Sequence, residues 1–158
     1  MGRTLINREA VYEQLKIDEG VEYKIYLDHL GYPTFGVGHL IKESDEEHGQ
    51  DVGTEVSEER VAECFEADLD TAIDECYKLY GEEVFNVLPG EVQEIIVNMM
   101  FNMGRPRLSG FKKFNAAIEN KDWTEAAKEG RDSRWYRQVT NRAERLMTRL
   151  EHLASLDR

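Results

Sequence analysis

Residues 17–40 read Ile17-Asp-Glu-Gly-Val-Glu-Tyr-Lys-Ile-Tyr-Leu-Asp-His-Leu-Gly-Tyr-Pro-Thr-Phe-Gly-Val-Gly-His-Leu40, and this stretch decides the fold. It begins at the end of a short helix. Asn7 is a good N-cap, Val11 and Leu15 recur at helical spacing, and Gly20 suits the C-cap. Beyond Gly20 the period changes. Val21, Tyr23, Ile25 and Leu27 alternate with Glu22, Lys24 and Tyr26, which predicts a strand. Gly31, Gly36 and Gly38 then punctuate a hairpin, with Pro33 at an edge or strand start. The two-residue period puts Thr34, Gly36 and Gly38 on one face, where missing side chains would let a ligand approach the backbone.

Two carboxylates in this stretch have contrasting settings. Glu19 falls in the last turn of the helix, where a negative charge is disfavoured by the helix dipole and by any burial. A carboxyl kept protonated can act as a general acid. Asp28 falls at a turn, a setting suited to an ionised group. Such a pair is the acid and base of glycoside hydrolysis. Thr34 is placed to offer its hydroxyl to a water that Asp28 activates. Carboxyls ~5 Å apart would imply a covalent intermediate and retention, and a ~6.5–9.5 Å gap would imply an activated water and inversion.

The same residues resemble a known family. Asp18, Glu19, Gly20, Lys24, Ile25, Tyr26, Asp28, Gly31, Tyr32, Thr34, Gly36, Gly38, His39 and Leu40 match the catalytic strip of the tailed-bacteriophage lysozymes, the phage-type endolysins of glycoside hydrolase family 24. Further matches are Asn98-Met99-Met100-Phe101-Asn102-Met103-Gly104, Gly110-Phe111, Trp123-Thr-Glu-Ala-Ala127, Ser133-Arg134-Trp135-Tyr136 and Asn141-Arg142-Ala143. They run in order from about Ala10 to Leu150.

The resemblance implies a mostly helical, two-lobed α+β fold. A small hairpin-containing lobe (about 14–56) would be joined by a long helix (57–80) to a helical lobe (1–13 with 81–158), all within one lysozyme domain. It implies cleavage of the β-1,4 bond between N-acetylmuramic acid and N-acetylglucosamine in bacterial peptidoglycan, with inversion and without a cofactor. Glu19 would be the acid. Asp28 would activate or position water, or stabilise charge at the anomeric carbon, and Thr34 would hold the water. Leu40, Phe101 and Asn102 match cleft positions. Phe114 and Glu129 stand where the family commonly has Ser and Asn, an expected difference in sugar contacts. His39 would pair with Asp68 to stabilise the lobe, and Arg142 would lie against the catalytic glutamate. The family's segment between the histidine and the long helix is longer, so the small lobe is expected to be trimmed. The expected biology is an endolysin, a monomer held in the host cytoplasm until a holin-made lesion admits it to the wall. The rival readings are a non-catalytic wall-binding module and a tail-associated virion lysozyme; intact Glu19, Asp28 and Thr34 argue against the former.

Elsewhere the pattern is helical. Ser57 is placed to cap a helix whose stripe is Val61, Phe65, Leu69, Ile73, Cys76 and Tyr80. After Pro89-Gly90, residues Val92, Ile95, Ile96, Met99, Met100 and Met103 trace a wide core stripe. Gly104-Arg-Pro106 and Ser109-Gly110 read as turns. Helices follow near 111–120 and 123–129. Asp122 with Glu125 forms a capping box there, and Gly130 reads as a stop. Asn141 opens the last helix, with Ala143, Leu146, Met147, Leu150, Leu153 and Ala154 as its stripe.

The chain has 158 residues and a net charge of −12. Residues 1–103 hold 7 Lys/Arg and 24 Asp/Glu, while residues 104–149 hold 12 and 6, so the two parts differ in sign. An acidic total argues against nucleic acid as partner, and departs from the basic charge common among wall-acting relatives. Residues 43–59 carry eight acidic groups and no Lys or Arg. They fit no EF-hand register, and read as a solvated loop. No run of ~18 apolar residues suggests a membrane span, and no charged-then-apolar leader suggests general secretion. His29, His39, His48, His152 and the two cysteines lie at no metal-like spacing. Cys64 and Cys76 fall on one helix, ~18 Å apart along its axis, too far to pair; a reducing compartment is expected.

Overall fold

A computed structural model describes residues 2–156. Helix α1 (Arg8–Glu19) is followed by strands β1 (Glu22–Leu27), β2 (Pro33–Gly36) and β3 (His39–Leu40). Helices α2 (Glu58–Tyr80), α3 (Glu82–Asn86), α4 (Gly90–Met103), α5 (Arg105–Ser109), α6 (Lys112–Glu119), α7 (Trp123–Arg131), α8 (Arg134–Gln138) and α9 (Thr140–Leu156) complete the order. The fold is mostly helical α+β with one small sheet. The chain divides into two compact units, Arg8–Thr71 and Met1–Asn7 with Ala72–Arg158, so the division falls inside α2. They are called the sheet unit and the helical unit below.

In the sheet unit, Gly20 ends α1 at φ +77°, donating its N–H to Lys16 O at 2.9 Å. A left-handed residue here stops the helix, and glycine adopts it without strain. Val11 and Leu15 are buried. The Tyr12 and Phe65 rings meet at 4.5 Å, and Arg8 pairs with Glu66 and Asp70 of α2.

The sheet is antiparallel in the order β1-β2-β3. Leu27 pairs with Pro33 and Tyr26 with Thr34, but further back Glu22 pairs with Gly36, so β1 carries a bulge. The alternation expected of β1 is therefore not its burial pattern. Only Ile25 is fully buried, while Tyr23 and Leu27 are largely exposed. A bulge re-aims the side chains on either side of it. Residues 43–59 are also more than a solvated loop. Residues 53–56 lie along the open edge of β1, where Ile25 N–H reaches Thr54 O, Gly53 N–H reaches Ile25 O and Val56 N–H reaches Tyr23 O, all within 2.9 Å. They satisfy main-chain groups that an edge strand would leave unpaired.

Ser57 caps α2 by accepting the Arg60 N–H at 3.1 Å. Cys64 and Cys76 are both free and buried. Burial pushes the Cys64 thiol up to about 11 and the Cys76 thiol higher still.

The helical unit is built on α4. The expected stripe, Val92, Ile95, Ile96, Met99, Met100 and Met103, is buried, and so are Gln93, Val97 and Asn98. Its buried polar groups are matched: Gln93 Nε2 donates to Phe85 O at 2.7 Å. Asn115 accepts from the Tyr80 hydroxyl at 2.6 Å and donates to Leu108 O at 2.9 Å. Asp122 accepts from Glu125 N–H to cap α7.

Three short helices lack a predicted counterpart. Residues 105–109, expected as turns, form α5 after Gly104 at φ +79°, while α3 and α8 are also five residues long. Gly130 does not stop α7, which continues to Arg131. Its missing side chain makes room for α9, since a Cβ there would lie 2.3 Å from Met147 Sδ. Among the described residues, no helix is long and apolar enough to cross a membrane.

Candidate active site

The sheet unit gathers Glu19, Asp28, Thr34, His39, Leu40 and Asp68. Glu19 is the last residue of α1 and is half-buried. Its side chain lies over Gly38: a Cβ added there would sit 2.8 Å from Glu19 Oε1 and 3.1 Å from Cδ. Gly38 has φ +63°. Glycine is thus needed twice, by backbone conformation and by the carboxyl above it. Gly38 was expected on a strand face open to ligand. It lies instead in the turn between β2 and β3, and the Glu19 side chain covers its bare Cα.

Asp28 forms the corner between β1 and β2. Its Oδ1 accepts the Leu30 and Tyr32 N–H groups, each at 2.9 Å. Its main chain closes the turn through Asp28 N–H to Tyr32 O and Gly31 N–H to Asp28 O. An Asx turn of this kind fixes the carboxyl, and Oδ2 takes part in none of these bonds. Thr34 is 3% exposed and donates its hydroxyl to Tyr32 O at 2.9 Å, which keeps its oxygen lone pairs for an incoming hydrogen bond. Thr34 pairs across the sheet with Tyr26 on one side and Leu40 on the other. Opposite residues of antiparallel strands share a face, so Tyr26, Thr34 and Leu40 form one row. Leu40 is half exposed.

His39 is held between two carboxylates. Nδ1 lies 2.7 Å from Asp68 Oδ2 and Nε2 lies 2.8 Å from Asp45 Oδ2. Both ring nitrogens meet an acceptor, so the doubly protonated cation satisfies both contacts. Burial of the ring disfavours that cation, but the bonds to Asp68 and Asp45 outweigh it and raise the pKa above the usual 6.5. Asp45 is held below the ordinary carboxylate range: burial opposes this, and the Lys42 N–H and the His39 ring overcome it. Arg60 extends the cluster with a forked contact to Glu47 at 2.8 and 3.0 Å and a longer one to Asp45 at 3.4 Å. Glu47 is 5% exposed.

In the helical unit, Phe101 and Asn102 are half-buried, and Asn102 Oδ1 accepts the Trp135 indole N–H at 2.8 Å. Phe114 is buried, yet with Phe111, Lys112, Lys113, Glu129 and Asp132 it lines a cleft of about 340 Å³. Arg142 is 7% exposed; its Nε donates to Asn98 Oδ1 at 2.8 Å and its Nη2 to Asn98 O at 3.2 Å.

Sequence reasoning did not single out Asp45, Glu47 or Arg60, and named Tyr26 only as a strand residue and a matching position. Burial first, then the nearby charges of Glu19, Glu22 and Asp28, raise the Tyr26 phenol. One signal was present: Arg60 is the single Lys or Arg between Lys42 and Lys78, and so the natural anchor for that acidic stretch.

Residues 16–152 match the family model described as phage lysozyme. The chain is 32% identical over 162 residues to probable T4-type lysozyme 1 of Dictyostelium discoideum, covering 90% of this chain and 94% of that protein. It is 33% identical over 154 residues to the pre-baseplate central spike protein Gp5 of Enterobacteria phage T4, covering 87% of this chain but 27% of that protein. It is 31% identical over 133 residues to the peptidoglycan hydrolase gp36 of Pseudomonas phage phiKMV, covering 84% of this chain and 14% of that protein. The chain therefore spans nearly all of one relative and a minor part of two others.

Proposed function

Because the chain belongs to the phage lysozyme family, we propose that it hydrolyses bacterial peptidoglycan at the β-1,4 bond between N-acetylmuramic acid and N-acetylglucosamine. One observation carries the reading: Glu19 lies over Gly38 of the same small sheet whose other turn fixes Asp28 and whose middle strand holds Thr34. Glu19 is the general acid that protonates the leaving oxygen. Asp28, with Oδ1 tied to the turn, uses Oδ2 to activate or orient a water. Thr34, its proton given to Tyr32 O, accepts a hydrogen bond from that water. General acid–base help of this kind contributes about 10²–10⁴-fold. Leu40, Phe101, Asn102, Phe114 and Glu129 are the residues proposed to bind the wall polymer, and Asn98 holds Arg142 in place.

The reaction inverts configuration on this reading. Digestion of purified sacculi should release products with N-acetylmuramic acid at the new reducing end, and NMR of the fresh digest should show the α anomer first. A first-formed β anomer would replace Asp28 as base with Asp28 as nucleophile, and N-acetylglucosamine at the reducing end would refute the bond assignment.

The biological role proposed is that of an endolysin, a monomer that waits in the host cytoplasm and reaches the wall through a holin-made lesion. The match to the T4 spike protein favours a second role, a lysozyme carried on the virion. Mass spectrometry of purified virions separates the two: the first predicts absence of this chain, the second a fixed copy number.

A further inference from the structure

The corner that holds Asp28 ends in a rigid apolar tip. Leu30 and Tyr32, both in the turn, are 68% and 55% exposed. The Tyr32 main chain is fixed three times: its N–H donates to Asp28 Oδ1, and its carbonyl accepts from the Asp28 N–H and from the Thr34 hydroxyl, each at 2.9 Å. The residue bonded to both Asp28 and Thr34 thus leaves its own ring in solvent. Apolar groups held rigidly in water mark a surface made for a partner, and fixing them beforehand lowers the cost of binding.

We propose that this tip is a sugar-stacking platform, on which the Tyr32 ring packs against the C–H face of a pyranose ring of the glycan strand, with Leu30 in the same turn. The inference rests on the reading of the site as a peptidoglycan hydrolase and names the part of the substrate that the tip meets. A pyranose offers an apolar face and a hydroxylated rim, and tyrosine offers an apolar ring with a polar tip. The platform is continuous with Asp28, so a strand reaching that carboxyl passes over it. A membrane fits poorly: Asp28 adjoins the tip, and residues 1–103 hold 24 acidic against 7 basic groups, which repels anionic lipid. A second copy of the chain fits poorly too, since a stable interface takes about 800 Å² per partner, more than two side chains supply.

The test is co-sedimentation with purified sacculi in the Glu19→Gln background, where binding is read without cleavage. Adding Tyr32→Ala should weaken binding about tenfold, and Tyr32→Phe, which keeps the ring, should hold it within about twofold. Leu30→Ser, at the most exposed position, should weaken it about threefold and covers the case in which Tyr32→Ala fails to fold. The losses should persist on sacculi stripped of stem peptides by an amidase. Equal binding by all variants overturns the platform. So does a loss that vanishes on stripped sacculi, which would make the tip a peptide reader, or a Tyr32-dependent affinity for anionic vesicles in place of sacculi. If unmodified protein cleaves nothing yet binding still depends on Tyr32, the hydrolase reading falls and the platform stands.

Discussion

The two units are held by different physics. The helical unit closes over α4, where Ile95, Ile96, Val97 and Met99 have no exposed surface, and its buried polar groups bond to neutral partners, Gln93 to Phe85 O, Asn115 to Tyr80 and Leu108, and Arg142 to Asn98. The sheet unit instead buries titratable groups in opposite-charge pairs: His39 sits between Asp45 and Asp68, and Glu47 is forked by Arg60. Apolar packing depends little on pH or salt. A charge cluster depends on both. The unit that presents the two candidate catalytic carboxylates is therefore the one whose stability should respond to proton concentration.

The largest effect should come from the helical core. Met99→Ala should cost about 2–5 kcal/mol, with the same loss at pH 5 and pH 9. Both tryptophans, Trp123 and Trp135, lie in this unit, so urea unfolding followed by tryptophan fluorescence reads it; a loss that varied strongly with pH would contradict the contrast. In the sheet unit, Asp45→Asn should cost about 1.5–3 kcal/mol at pH 6, the usual worth of a hydrogen bond to a charged group. Amide exchange at Ile25 and Ile41 should then accelerate about ten- to hundredfold.

The pH dependence of that loss has a definite sign. His39 titrates higher folded than unfolded, so its contribution is complete below the unfolded value and disappears as pH rises through the folded value. Asp45 titrates lower folded than unfolded, so its contribution is present above the unfolded value and is lost as pH falls through the folded one. Protection of the sheet unit, corrected for intrinsic exchange, should peak between these limits, and the gap between wild type and Asp45→Asn should shrink as pH rises through the folded His39 value. A difference that grew with pH would refute the cluster's role.

Gly38→Ala should cost about 1–2 kcal/mol for its left-handed backbone and push Glu19 aside, lowering peptidoglycan cleavage more than stability. An enzyme that kept full activity would mean that Glu19 need not sit there. Glu82→Gln should do least. Its pair with Arg3 is exposed on both sides, so solvent screens it; any change should be small and vanish in 1 M salt.

The sequence reading foresaw the elements with strong local signals. Asn7 to Gly20, Ser57 to Tyr80, and the Met-rich α4 show both a long stripe and a start or stop residue. Helices α3, α5 and α8 show neither, because five residues hold barely one turn. Gly130 was misread since a glycine that ends a helix and one that lets another helix approach look alike without the partner Met147. The resemblance pointed to Asp68 as the partner of His39. Asp45 was hidden in an acidic run where eight carboxylates look alike, and only the folded loop shows which one meets the ring. The β1 alternation misled because β1 runs four residues from Glu22 to Tyr26 where β2 runs two from Gly36 to Thr34, an irregularity that leaves no mark in the sequence.

The central claim is that Glu19 is the general acid of a peptidoglycan hydrolase. The most direct measurement is the release of new reducing ends from purified Gram-negative sacculi by wild type and by Glu19→Gln, with folding of both checked by circular dichroism. Wild type should release them, and the folded variant should be slower by about 10²–10⁴-fold. A folded Glu19→Gln protein that cleaves as fast as wild type, or a folded wild type that releases nothing across pH and salt, would contradict the account.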